Sequence, residues 1–192
     1  MVIGQVIGYA ANIVWLLIPL RQIRTNYFFF FLIYAITSGI LLLDDILLIH
    51  PAKIYFGQGI FLIISLYNFK KILYYKYVLI AILIVSVILP LIISVNTILI
   101  FLIASHVTIF LIILRRIVLY SSQQEKLNLF HFILLLFEAS ALTRFIVVIG
   151  DIKTGVIFFY LTAAFGILIG IYFLIYNEKN SFKFSLNTET VK

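Results

Sequence analysis

Tyr77–Val95 reads YVLIAILIVSVILPLIISV. No charge interrupts it, and its apolar residues follow one another without the alternation a barrel strand requires. In a hydrocarbon interior the backbone must satisfy its own hydrogen bonds, so only helices or closed barrels cross it. A continuous run of this length predicts a membrane-spanning helix. The rest of the chain repeats the pattern. Of 192 residues, 65% are hydrophobic and 11% charged, with a mean hydropathy of +1.23. A soluble domain is about half apolar and about a quarter charged. This chain carries more apolar surface than a water-soluble core hides, so lipid is the expected solvent.

Seven blocks of this kind predict an all-α, polytopic helical bundle of seven transmembrane helices. They are Val2–Leu20, Tyr27–Ile49, Ile54–Phe69, Tyr77–Val95, Thr97–Leu114, Leu127–Ile149 and Thr154–Tyr176. Most have about the 20 residues that a hydrocarbon core demands. The third is short and gains a turn if it extends into Lys70 and Lys71, whose stems can snorkel. The fourth and fifth read as one long hairpin with Asn96 at its turn. Residues 1–176 form a single expected domain, and the polar tail 177–192, without apolar periodicity, is expected to be disordered.

The cations orient the bundle. Eleven fall in alternate loops and the tail: Arg21, Arg24, Lys70, Lys71, Lys76, Arg115, Arg116, Lys126, Lys179, Lys183 and Lys192. Only Lys53 and Lys153 fall on the other side, and Arg144 lies within a span. Loops rich in Lys and Arg stay cytoplasmic. The N-terminus is therefore expected outside and the tail inside, with a bacterial cytoplasmic membrane as the location. The net charge of +7 is spread over these loops, which suits membrane insertion rather than nucleic acid. The first block lacks a basic leader and an Ala-x-Ala cleavage site, so it reads as a retained span. The expected partners are the bilayer and either another membrane protein or a second copy of the chain.

With no cysteine, disulfides, thiolate metal sites and cysteine nucleophiles are excluded. His50, His106 and His131 lack helical ligand spacing, so no metal site is expected. Nothing calls for a cofactor. No P-loop and no Gly-x-Ser-x-Gly elbow is present.

The two halves echo each other. Leu20-Arg21-Gln22-Ile23 ends the first block and Leu114-Arg115-Arg116-Ile117 ends the fifth. Pro51-Ala52-Lys53-Ile54 falls opposite Asp151-Ile152-Lys153-Thr154. This suggests a parallel repeat of three helices (1–76 and 97–176) joined by a linking helix (77–95), with an axis along the membrane normal. The layout resembles the SWEET sugar transporters and the PQ-loop family. In that family a Pro-Gln pair ends the first span; here Pro19-Leu20-Arg21-Gln22 has the proline without the adjacent glutamine. The resemblance implies alternating access between two three-helix halves. Leu127-Asn128-Leu129-Phe130-His131-Phe132 to Phe137-Glu138 also resembles a segment of small bacterial seven-span proteins of unknown activity, which implies an architecture and no mechanism. Asp45-Ile46-Leu47-Leu48 followed by Phe56-Gly57-Gln58-Gly59 is similar to lysoplasmalogenase-type membrane hydrolases. Their second aspartate in a later span is missing here, and Glu138 would have to replace it.

Ionisable groups inside spans carry the chemical signal, because each costs about 2.5–3.5 kcal/mol at a helix centre and calls for a partner. They are Asp44, Asp45, His106, His131, Glu138 and Arg144. Asp44 and Asp45 point about 100° apart; a solvated helix end and a proton-carrying carboxylate both fit them. Arg144 falls at nearly their depth on the sixth block, where it can pair with either. Glu138 sits mid-span and needs a hydrogen-bond partner, with Asn12, Gln58, His106 and His131 as candidates. His131 precedes it by two turns on roughly the same face, about 10 Å along the axis. On the first block Gln5, Gly8 and Asn12 share a face, as do Thr162, Gly166 and Gly170 on the seventh. Gly166-x-x-x-Gly170, Gly57 and Gly59 favour close helix approach.

The expected binding residues are therefore Glu138, Arg144, Asp44, Asp45, Asn12 and His131, with no catalytic residue assigned. The leading expectation is a small solute bound or transported through a polar cavity between two three-helix halves. The alternatives are a structural or regulatory subunit of a larger membrane complex, and an intramembrane lysolipid hydrolase using Asp45 and Glu138.

Overall fold

The computed structural model describes residues 2–43, 50–74, 76–153 and 155–186. Among these, seven helices and a two-stranded ribbon account for the fold. The helices are α1 (Val2–Gln22), α2 (Phe28–Leu42), α3 (Pro51–Tyr74), α4 (Lys76–Ile92), α5 (Val95–Gln124), α6 (Leu129–Ile149) and α7 (Gly155–Ile175). Strands β1 (Lys126–Asn128) and β2 (Lys183–Ser185) pair antiparallel, with Leu127 opposite Phe184. Three helical stretches are long and apolar enough to cross a membrane: Val95–Gln124, Leu129–Ile149 and Val156–Ile175. Phe28–Leu42, Pro51–Leu66 and Ile80–Ile92 are apolar but shorter. Asp44 and Asp45 lie outside the described residues.

Local chemistry explains where the helices depart from the expected spans. The break between α4 and α5 falls one turn earlier than Asn96, because Ser94 caps α5: its hydroxyl accepts from the Thr97 N–H at 3.3 Å. Asn96 is inside the first turn. At its other end α5 does not stop at Leu114. No Gly or Pro interrupts Arg115–Gln124, so the helix continues to about 45 Å in length and ends at Glu125, in the left-handed region at φ 50°. Leu127 and Asn128 leave the expected sixth span for β1. Asn128 caps α6 instead, accepting from the Phe130 N–H at 3.0 Å.

Six helices close a ring in chain order, α1–α2–α3–α5–α6–α7 and back to α1, while α4 stands outside against α3. Glycines set the closest approaches. A Cβ at Gly170 would lie 2.5 Å from Val14 Cγ1, and one at Gly4 would lie 2.8 Å from the Tyr160 ring, so α7 and α1 meet where a side chain is missing. Gly59 brings α3 to within 3.2 Å of Ser105 on α5 in the same sense. Gly166 and Gly8 have nothing within 4 Å of the Cβ position. Their missing side chains leave space rather than contact.

At one end of the ring an aromatic layer fills the interior. Trp15, Tyr27, Phe30, Phe31, Phe130 and Phe173 are buried together with Ile18, Leu62, Ile109 and Ile113. Phe173 lies 4.9 Å from Phe31 and 5.0 Å from Phe130, ring centre to ring centre, in tilted and edge-on pairs. Arg21, Arg24, Arg115, Arg116 and Lys126 mark the same end, called here the basic end. Arg116 turns inward there, its guanidinium 5.0 Å from the Tyr27 ring centre, and donates to the Leu66 carbonyl.

Of the tail expected to be disordered over 177–192, the structure describes residues 177–186. Asn177–Leu186 folds as a turn and strand β2 beneath the basic end. The Asn177 side chain accepts from the Lys179 and Asn180 N–H groups at 3.0 Å each, an Asx-type turn that needs no apolar pattern. Ser181 donates to the Asn128 side chain at 2.5 Å, and Leu186 N–H donates to the Glu125 carbonyl at 2.8 Å. Gln22 donates to the Phe173 and Tyr176 carbonyls at 2.8 and 3.0 Å, and Arg21 to the Ile175 carbonyl at 3.1 Å. The end of α1 thus satisfies the carbonyls that the end of α7 leaves open.

Candidate functional site

Opposite the basic end the ring is not filled. A cavity of about 540 Å³ lies between α1, α2, α3, α5, α6 and α7, within the range of small-molecule pockets. Each helix turns one face to it at helical spacing. On α1 that face is Gly8, Asn12 and Trp15; on α2 it is Tyr34, Thr37, Ser38 and Leu41. α6 contributes Phe137, Ser140, Arg144 and Val148, and α7 contributes Phe159, Thr162 and Gly166. Tyr55 and Gln58 come from α3 and His106 from α5. Apolar walls are thus set with hydroxyls, two amides, the imidazoles of His50 and His106, and one guanidinium.

The floor is a buried carboxylate. Glu138 on α6 has no exposure, and both of its oxygens are engaged. Oε1 accepts from the Tyr34 hydroxyl at 2.9 Å, and Oε2 lies 2.7 Å from His106 Nδ1. Three helices are joined at this point. Tyr34 and His106 both line the cavity, whereas Glu138 stands behind them. The Tyr34 ring also belongs to the aromatic layer: it is 5.0 Å from Trp15 and 5.3 Å from Phe137. Trp15 stacks on Phe137 at 4.3 Å. The carboxylate therefore sits where the polar cavity meets the apolar plug.

The expected site residues divide accordingly. Asn12 and Arg144 line the cavity, and Glu138 lies behind its wall through Tyr34 and His106. Asp44 and Asp45 fall outside the described residues, and so does any pairing of Arg144 with them. His131 does not join this group. It is buried at the basic end, 5.5 Å from the Tyr27 ring and 5.8 Å from the Tyr120 ring. Its Nε2 is 3.4 Å from Glu178 Oε1 in the tail, an electrostatic contact rather than a short hydrogen bond. Two helical turns separate it from Glu138, and the aromatic layer fills that distance.

Glu178 is held by the same arrangement. Burial pushes its carboxyl up, but His131 and the side chain and backbone of Asn26 outweigh burial and hold it below the ordinary value of 4.5. Asn26 Nδ2 donates to Glu178 Oε2 at 3.2 Å.

Sequence reasoning passed over Tyr34. A signal existed: Tyr34, Thr37 and Ser38 fall at i, i+3 and i+4, a polar stripe in the otherwise apolar α2. The stripes that were noted on the first and seventh spans supplied Gly8, Asn12, Thr162 and Gly166, all of which line the cavity. No protein-family model, no curated protein and no solved structure matches this chain, so its residues alone carry the functional reading.

Proposed function

We propose that this chain is an integral membrane protein that takes a small polar solute into the cavity and passes it between two three-helix halves. In this reading all seven helices are set in a bacterial cytoplasmic membrane, with the N-terminus outside and the tail inside. The cavity then opens outward, and the aromatic layer is the closed inner gate. One observation carries the reading: an apolar-walled space of about 540 Å³ set with a few polar side chains, enclosed by six helices and stopped at one end by packed rings. A helical bundle built only to span lipid fills its interior, because unfilled volume forfeits contacts.

The ring order supports the division into halves. α1–α3 and α5–α7 follow one another around the circle with α4 outside, as two successive three-helix units joined by a linker would. The seams between these units, α3 with α5 and α7 with α1, are where Gly59, Gly170 and Gly4 sit. Small residues at these seams let the backbones of the two units approach closely. Reconstitution into liposomes with a panel of small neutral and charged solutes tests the proposal. Uptake of at least one, lost in Arg144→Gln or Asn12→Leu, is expected; no uptake of any of them contradicts transport.

The hydrolase alternative is weakened by the same geometry. Glu138 stands behind Tyr34 and His106 rather than lining the cavity, so a water there does not reach its carboxylate directly. Membership of a larger complex is tested by purification from native membranes, where a lone monomer speaks against it.

A further inference from the structure

The cavity reading leaves open what drives a solute through it. Building on that reading, we infer that His106 and Glu138 together carry one exchangeable proton, and that loading it changes what the cavity offers to its ligand.

Nδ1 of His106 faces Glu138 at 2.7 Å, while the ring itself lines the cavity. Nε2 is the nitrogen that Glu138 does not engage. With the carboxylate ionised and the imidazole neutral, Nδ1–H donates to Oε2, and Nε2 has only a lone pair to present. A proton from cavity water then binds Nε2. The pair either stays as imidazolium and carboxylate, or Nδ1 passes its own proton to Oε2. Either way one proton has been gained from water. Nε2 has changed from acceptor to donor, and the Tyr34 hydroxyl keeps donating to Oε1. Release runs the same steps backward. Nothing is oxidised, and no bond to carbon forms or breaks.

The surroundings favour a proton over a metal cation. Hard cations require several oxygen ligands around them. Glu138 instead faces an O–H donor and a ring nitrogen, and these occupy the approaches to both oxygens. Among the described residues, the other titratable or charged groups that line the cavity with His106 are Tyr34 on α2, Tyr55 and His50 at α3, and Arg144 further along α6; the described residues of α1 and α7 add none to the lining. A purely structural link between α2, α5 and α6 needs only a permanent hydrogen bond. The feature it does not need is a second ring nitrogen at a polar cavity.

The proton itself is the probe. Full-length protein in lipid nanodiscs, labelled with nitrogen-15 at histidine, is titrated by NMR, with His106 assigned by comparison with His106→Gln. On acidification Nε2 of His106 is expected to gain its proton, read directly from its nitrogen-15 signal. In Glu138→Gln, which removes the carboxylate that Nδ1 faces, that response is expected to differ from the unsubstituted protein. Tyr34→Phe, a milder change that removes only the donor to Oε1, serves if Glu138→Gln does not fold, and it is expected to alter the same response. In parallel, Ser140→Cys gives the chain its only thiol, which is treated with a charged, membrane-impermeant thiol reagent. A labelled thiol together with a titrating His106 supports the inference. A labelled thiol with His106 static across the titration overturns the proton inference and leaves the cavity standing. An unlabelled thiol overturns the cavity reading whatever His106 does.

Discussion

His106 and Glu138 meet at 2.7 Å across the α5–α6 seam, at the level where the polar cavity gives way to packed aromatic rings. The contact converts an isolated buried carboxylate into one member of a hydrogen-bonded group. Together with the Tyr34 hydroxyl at 2.9 Å it satisfies both oxygens without water.

Removing either end of this group has unequal consequences. In Tyr34→Phe one donor is lost, and hydrogen bonds between membrane helices average about 0.6 kcal/mol. In Glu138→Ala two buried donors lose their acceptor and a cavity remains, so a loss of about 3–5 kcal/mol is expected, as for other broken buried pairs. Glu138→Gln falls between them. Thermal unfolding of the three variants in one detergent checks the order; equal losses for Phe and Ala contradict the geometry.

Two glycines one helical turn apart on α7 are predicted to respond with opposite signs. A Cβ at Gly170 meets Val14 at 2.5 Å, so Gly170→Ala forces α1 and α7 apart and costs about 1–3 kcal/mol, as overpacking does. At Gly166 the same methyl enters open space. There the gain in helix propensity, up to about 1 kcal/mol, stands unopposed. Melting temperatures of the two variants provide the comparison. A destabilised Gly166→Ala alongside an unchanged Gly170→Ala rejects the α1–α7 seam.

The tail is predicted to undock in acid. Glu178 has a folded-state pKa below its ordinary 4.5, so docking gains from the ionised carboxylate at every pH above that value. This gain disappears as pH falls below 4.5 toward the lower folded value. Hydrogen exchange at the Leu129 and Leu186 amides, which bond to the Phe182 and Glu125 carbonyls, reports the docking. Exchange is expected to accelerate on acidification, relative to amides in α5, and Glu178→Gln is expected to remove the pH dependence. Protection that is unchanged in Glu178→Gln places the hold on the tail elsewhere.

Much of this fold is written in hydropathy. Continuous apolar runs predict helices, because lipid leaves the backbone no other choice; their limits were less legible, since α5 continues past Leu114 to Gln124. The demand for a partner at Glu138 was legible, and His106 stood among the candidates. Which helices touch was not, since nearly every face of an apolar helix reads alike. His131 illustrates the cost. Its spacing places it on the Glu138 face, but a shared face says nothing about what fills the two turns between, where Leu134 is buried in the same core as the aromatic rings. The tail was illegible for a different reason. Lys126–Asn128 and Lys183–Ser185 are too short for any period, and their pairing depends on α5 ending where it does.

The central claim is that this bundle encloses water on one side of its helices and meets lipid on the other. Thr162 and Leu161 test it as neighbours: Thr162 lines the cavity, whereas Leu161 points outward with 65% of its surface exposed. Each is replaced by cysteine in the otherwise cysteine-free chain and exposed in membranes to a charged thiol reagent, which reacts with the thiolate and therefore only where water reaches. Thr162→Cys is predicted to react and Leu161→Cys to stay inert; equal reactivity, or the reverse order, contradicts the account.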